Sequence, residues 1–120
     1  MKELLLLFLA FQMKHFICDF PLQAHTYLYK NKGTYGHLGG IIHSGIHLLG
    51  SLIVLNIFHL PIWLALIDFV SHYHIDFIKM KINNAYNLTP TSSEWFWILL
   101  GVDQMLHQLT YILLIYIILL

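Results

Sequence analysis

The stretch IWLALIDFVSHYHIDFIKMK, residues 62–81, decides how the rest of the chain is read. It opens directly after Pro61, where a proline suits a helix start, and it is about 20 residues long, enough to cross a bilayer core of ~30 Å. Its ionisable residues Asp68, His72 and Asp76 recur at every fourth position. On a helix that spacing stacks side chains on one face, one turn above the other. The stretch therefore reads as a membrane helix with one ionisable stripe on an apolar cylinder, His74 lying on roughly the opposite face.

Three more segments follow the same pattern. A first span runs from about Glu3 to Phe20, with Pro21 stopping it; a second runs from His37 to Leu60; a last one, capped by Ser92 or Ser93 with Glu94 in its first turn, runs to Leu120. Their stripes are His15/Asp19, His43/His47 and Asp103/His107, again four residues apart. The polar segments Gln23–Gly36 and Asn83–Ser93 are connections, the first with room for one helical turn. The expected fold is all-α: a single transmembrane domain over 1–120, with spans at about 3–20, 37–60, 62–81 and 93–120, forming an integral membrane four-helix bundle of up-down-up-down topology.

Composition agrees, since 58% of the residues are apolar and only 10% charged, against about 25% charged in soluble domains. Six Lys without any Arg balance four Asp and two Glu, so the net charge is zero and nothing in it attracts nucleic acid. The lone Cys18 excludes an intrachain disulfide or a Cys-based zinc knuckle and reads as a small buried hydrophobe. Met1–Met13 mimics a secretory signal, but Gln12, Lys14 and His15 follow where a small-residue cleavage site should be, so the segment is expected to stay as helix. Lys30, Lys32, Lys79 and Lys81 fall on one side of the membrane and Lys2 on the other. The positive-inside rule then puts the first and third connections in the cytoplasm, and both termini with the Asn56–Pro61 turn on the outer side.

Carboxylates inside membrane helices cost about 2.5–3.5 kcal/mol each on insertion scales and call for partners. With no Arg and few buried Lys expected, the partners are expected to be metal ions. In an antiparallel bundle the four stripes fall at one level, in the cytoplasmic half, where His15, Asp19, His43, His47, Asp68, His72, Asp76, Asp103 and His107 could hold one or two divalent ions. Zinc is the first candidate, then manganese, iron or magnesium. Such an ion suits a hydrolase acting on a phosphorylated or lipid-like substrate at the cytoplasmic face, with the Lys residues near the mouth either receiving an anionic head group or serving as topology signals. No nucleophile elbow, phosphate loop or dinucleotide fingerprint competes with this. The rival readings are a transporter of protons or metal ions, haem binding, and a non-catalytic module with a hydrogen-bonded polar core; the lipid bilayer and a homo-oligomer are the expected partners. His25, His37 and His59 lie outside the cluster.

His15-x3-Asp19-x3-Gln23, His43, His72-x3-Asp76-x2-Lys79 and Asp103-Gln104-x2-His107 together resemble an uncharacterised family of small bacterial and phage integral membrane proteins, known only as a domain of unknown function. The resemblance covers nearly the whole chain. It implies a bacterial inner membrane location and adds Gln23, Lys79 and Gln104 to the pocket, but it supplies no reaction. A weaker similarity to predicted membrane-bound metal-dependent hydrolases lacks the Arg those proteins carry.

Overall fold

The computed structural model describes residues 1–120 and is helical throughout, with no strand. The elements are α1 (Lys2–Asp19), α2 (Thr26–Asn31), α3 (Leu38–Ile57), α4 (Leu64–Ala85) and α5 (Glu94–Leu119). Short α2 is the turn of helix expected in the first connection. Among the long helices α1 packs on α3 and α5, α3 on α4, and α4 on α5, which closes a ring with α1 diagonally opposite α4.

Local chemistry sets the ends. His37 caps α3 by accepting the Gly39 N–H at Nδ1, 3.0 Å away, and Ser93 caps α5 by accepting the Trp95 N–H at 3.2 Å. The third long helix begins at Leu64 and not at Ile62, because the carbonyls of Pro61, Ile62 and Trp63 accept from residues three places on in a tight turn. It also runs four residues past Lys81, to Ala85. His59, at φ 55°, turns the chain between α3 and α4. Short α2 lies against the start of α3 because Gly39 has no side chain: a Cβ there would come within 2.7 Å of Asn31 Cβ and the Tyr27 carbonyl. That contact carries Lys32 into the interior.

The polarity of the molecule is inverted relative to a water-soluble bundle. Fifteen polar or charged side chains are buried against eleven apolar ones, while Leu5, Leu9, Phe16, Ile53, Leu66, Val70, Leu109 and Ile112 are among many large hydrophobics left exposed. Two helices, α3 and α5, are long and apolar enough to cross a membrane. The other two are interrupted by ionisable residues. The interior has two layers. One is apolar, built from Leu7, Phe11, Val54, Leu55, Leu64, Ala65, Tyr111 and Leu114. These residues come from the first half of α1, the second half of α3, the start of α4 and the second half of α5, so consecutive long helices run antiparallel. The other layer holds the ionisable stripes.

Candidate metal centre

Each long helix delivers one pair of side chains, four residues apart, to the polar layer: His15 and Asp19 from α1, His43 and His47 from α3, His72 and Asp76 from α4, Asp103 and His107 from α5. All eight are buried. The tightest convergence is on Asp19. Its Oδ1 lies 3.2 Å from His43 Nε2, 3.1 Å from His47 Nε2 and 3.4 Å from His72 Nε2, and the His43 and His72 Nε2 atoms are 3.1 Å apart. Ligands held at about 2.0–2.1 Å around one tetrahedral ion sit about 3.3 Å from each other, and these four separations match that spacing, with all the ligand atoms of the set within 4.8 Å of one another. Two imidazole Nε2 atoms at hydrogen-bond distance cannot both carry a proton toward each other. A cation between them removes the conflict.

Three carboxylates have a different arrangement, and here the structure corrects the expectation that few lysines are buried. Lys14 pairs with Asp68, Lys32 with Asp76 at 2.6 Å, and Lys79 with Asp103 at 3.1 Å. Lys14 crosses the bundle diagonal from α1 to reach α4, and donates to the Tyr111 hydroxyl at 3.1 Å as well. Asp68 also accepts from Ser51 Oγ at 2.6 Å, so this expected ligand is neutralised by an ammonium and stands outside every group of converging ligand atoms. Lys32, expected at the membrane surface, is buried between Asp76 and the Gln23 carbonyl oxygen. Asp19 is left as the carboxylate with no lysine beside it, faced by imidazoles and the Gln104 amide.

His15 was expected as a ligand too, and lies 3.2 Å from Asp19 Oδ2, yet both its nitrogens are engaged. The Gln104 amide nitrogen donates to Asp19 Oδ2 at 3.3 Å and to Asp103 Oδ2 at 3.1 Å, which turns its carbonyl toward His15. His15 Nε2 must then donate to Gln104 Oε1 at 3.0 Å, and Nδ1 accepts from Tyr111 OH at 3.0 Å. In this arrangement neither lone pair is free toward the Asp19 set, although His15 also groups with His72 and His107 at ligand spacing. His15 therefore orients the centre from beside it.

Beyond the eight, sequence reasoning missed Lys14, Ser51 and Tyr111. A census of charged residues by depth would have found Lys14, which lies three turns inside its span; nothing in the sequence marks the other two. His25 caps α2, and His74 bonds Tyr35 on the exterior, in keeping with places outside the cluster. Cys18 is buried against the Ile46 carbonyl and stands apart from the groups of converging ligand atoms.

The centre is reached from one end of the bundle. A cavity of about 180 Å³, flanked by Phe20 and Phe96, reaches Asp19, Lys79 and Gln104 from the end where α1 stops and α2 begins. The apolar layer closes the other end. Buried His and Asp side chains thus form groups able to hold a metal ion.

A family model described as a protein of unknown function (DUF3307) matches residues 5–120. No curated protein and no solved structure matches the chain.

Proposed function

Since the chain belongs to the DUF3307 family, whose description assigns no activity, we propose from its own residues that it is an integral membrane protein binding a divalent metal ion and hydrolysing a phosphorylated or lipid-like substrate. The observation that carries this reading is the convergence of three imidazole Nε2 atoms on Asp19, the one core carboxylate without a lysine, at the inner end of a cavity. Three nitrogen donors and one carboxylate suit zinc first. With a water as a fifth ligand on the cavity side, such an ion would lower the pKa of that water to about 7 and make hydroxide available at neutral pH.

The membrane setting rests on the apolar exterior, which wraps all four long helices, and on the interior placement of the charges. All four are read as spans, with the ionisable layer toward the cytoplasm and both termini outside. Resemblance to small bacterial and phage membrane proteins supports the bacterial inner membrane. Gln104 and His15 would hold the Asp19 carboxylate in place, and Lys79 stands where an anionic group entering the cavity would meet it. A transport path is disfavoured by the apolar layer, which leaves no polar route across the second half of the bundle.

The test is metal analysis of detergent-purified protein after exhaustive washing, followed by assay against phosphoesters and lipids with Zn²⁺, Mn²⁺ or Mg²⁺. The expected result is about one equivalent of tightly bound metal and metal-dependent turnover. Less than a tenth of an equivalent, or ion flux in liposomes without turnover under any metal, would overturn the hydrolase reading.

A further inference from the structure

Asp76, Asp103 and His107 stand next to the centre described above without belonging to its tetrahedral set. His107 Nε2 is 3.5 Å from Asp76 Oδ1 and 3.5 Å from Asp103 Oδ1. It is buried and has no hydrogen-bond partner, and the Asp103 Oδ1 atom is also buried without one. Imidazole nitrogen and two carboxylate oxygens at this separation match one face of a coordination polyhedron whose metal–ligand bonds are about 2.0–2.2 Å. The unpartnered nitrogen points into that face.

Asp76 joins this face to the first centre. Its Oδ2 lies 3.3 Å from His43 Nε2 and 3.2 Å from His72 Nε2, while its Oδ1 faces His107. One carboxylate thus presents an oxygen to each of two neighbouring donor sets, its Oδ2 shared with the Lys32 ammonium at 2.6 Å and its Oδ1 turned to the second set, the arrangement by which bundle proteins hold paired ions. A positive charge already stands against the second set. Lys79 Nζ is 3.1 Å from Asp103 Oδ2 and 4.0 Å from Asp76 Oδ1, and its side chain borders the 180 Å³ cavity, into which the ammonium can turn.

We propose that Asp76, Asp103 and His107 form a second divalent-cation position, bridged to the first by the Asp76 carboxylate, and that the Lys79 ammonium competes for it. The inference rests on the metal-binding reading of the first centre. Lys79 then makes the second position weak by design of charge, so that the wild-type protein holds one ion tightly and a second only at high concentration. An ammonium and a divalent ion cannot both stand against the same two carboxylates.

The experiment is a titration of apo protein with Mn²⁺, read by bound-metal analysis and by electron paramagnetic resonance, where two carboxylate-bridged Mn²⁺ ions couple and a single ion does not. Wild type should bind one tight equivalent with an uncoupled spectrum. Lys79→Met should bind a second equivalent at least tenfold more tightly than wild type does and show the coupled spectrum; Lys79→Gln provides the same test with a different side chain if the first folds poorly. Lys79→Arg, which keeps the charge, should behave as wild type. Adding Asp103→Asn to Lys79→Met should remove the second equivalent and leave the first. A first equivalent that is lost in His47→Ala, with no gain in Lys79→Met or Lys79→Gln, would overturn this inference alone. Absence of any tight equivalent in all variants would overturn the metal reading itself.

Discussion

Lys14→Met is the perturbation that separates charge pairing from metal binding in the core. Lys14 and Asp68 are 6% and 1% exposed and meet across the bundle diagonal, so removing the ammonium strands a carboxylate with the Ser51 hydroxyl as its main support. Breaking one partner of a buried pair costs about 3–5 kcal/mol, a large share of the ~5–15 kcal/mol by which proteins are stable. Replacing both, as Lys14→Met with Asp68→Leu, leaves no unpaired charge at this pair and fills similar volume, and should lie within about 1.5 kcal/mol of wild type. The coupling energy of the cycle is therefore expected to exceed about 4 kcal/mol. Equilibrium unfolding in mixed micelles, with an anionic detergent as denaturant and helicity as the signal, measures all four corners. The folded double variant should also retain its metal equivalent, because Asp68 is no ligand. Single variants within about 0.5 kcal/mol of wild type, or a double variant that loses metal while folded, would refute the reasoning.

Two further outcomes follow from the geometry. Asp19→Asn, His43→Ala, His47→Ala and His72→Ala should each abolish the tight equivalent, whereas His15→Gln, which removes an orienting ring and no ligand of the Asp19 set, should weaken it by about 10- to 100-fold and still reach one equivalent at saturation; a Zn²⁺ titration reads both, and complete loss at His15 would restore it to the ligand set. Gly50→Val places a Cβ 2.8 Å from Lys14 Cγ and 3.3 Å from Cys18 Sγ, so it should force α1 from α3 and cost about 1–3 kcal/mol in the same unfolding assay, with a cost near zero contradicting the tight packing.

The four stripes were legible because helix periodicity is a local property: residues four apart share a face whatever surrounds them, and antiparallel connectivity then fixes their level. That reasoning carried His43, His47, His72 and Asp19 into one cluster. It failed for Asp68 because the neutralising charge sits on a helix two elements away in the ring. Lys14 is rotated by about 100° from His15 on the same helix, off the stripe, and reaches Asp68 through its long flexible stem. Lys32 was hidden for another reason: its burial depends on the docking of α2 against Gly39, a tertiary event, and in the sequence it reads as part of a polar connection. The orientation of His15 is invisible without Gln104, whose amide polarity is set by two acids from different helices.

If all four long helices span a membrane, as proposed, their unequal apolarity bears on how the chain enters it. Helices α3 and α5 are long and apolar enough to cross a bilayer, while α1 carries Lys14 and Asp19, and α4 carries Asp68, Asp76 and Lys79, each expensive alone in hydrocarbon. During synthesis α1 emerges long before Asp68, its lysine's counter-ion, and before the imidazoles that face Asp19. On the four-span reading proposed above, α1 would have to wait at the interface or in the insertion machinery until α3 and then α4 arrive. Biogenesis would then be a concerted event of paired hairpins, and a ribosome stalled after α3 would leave a chain whose first helix has no stable place in the lipid.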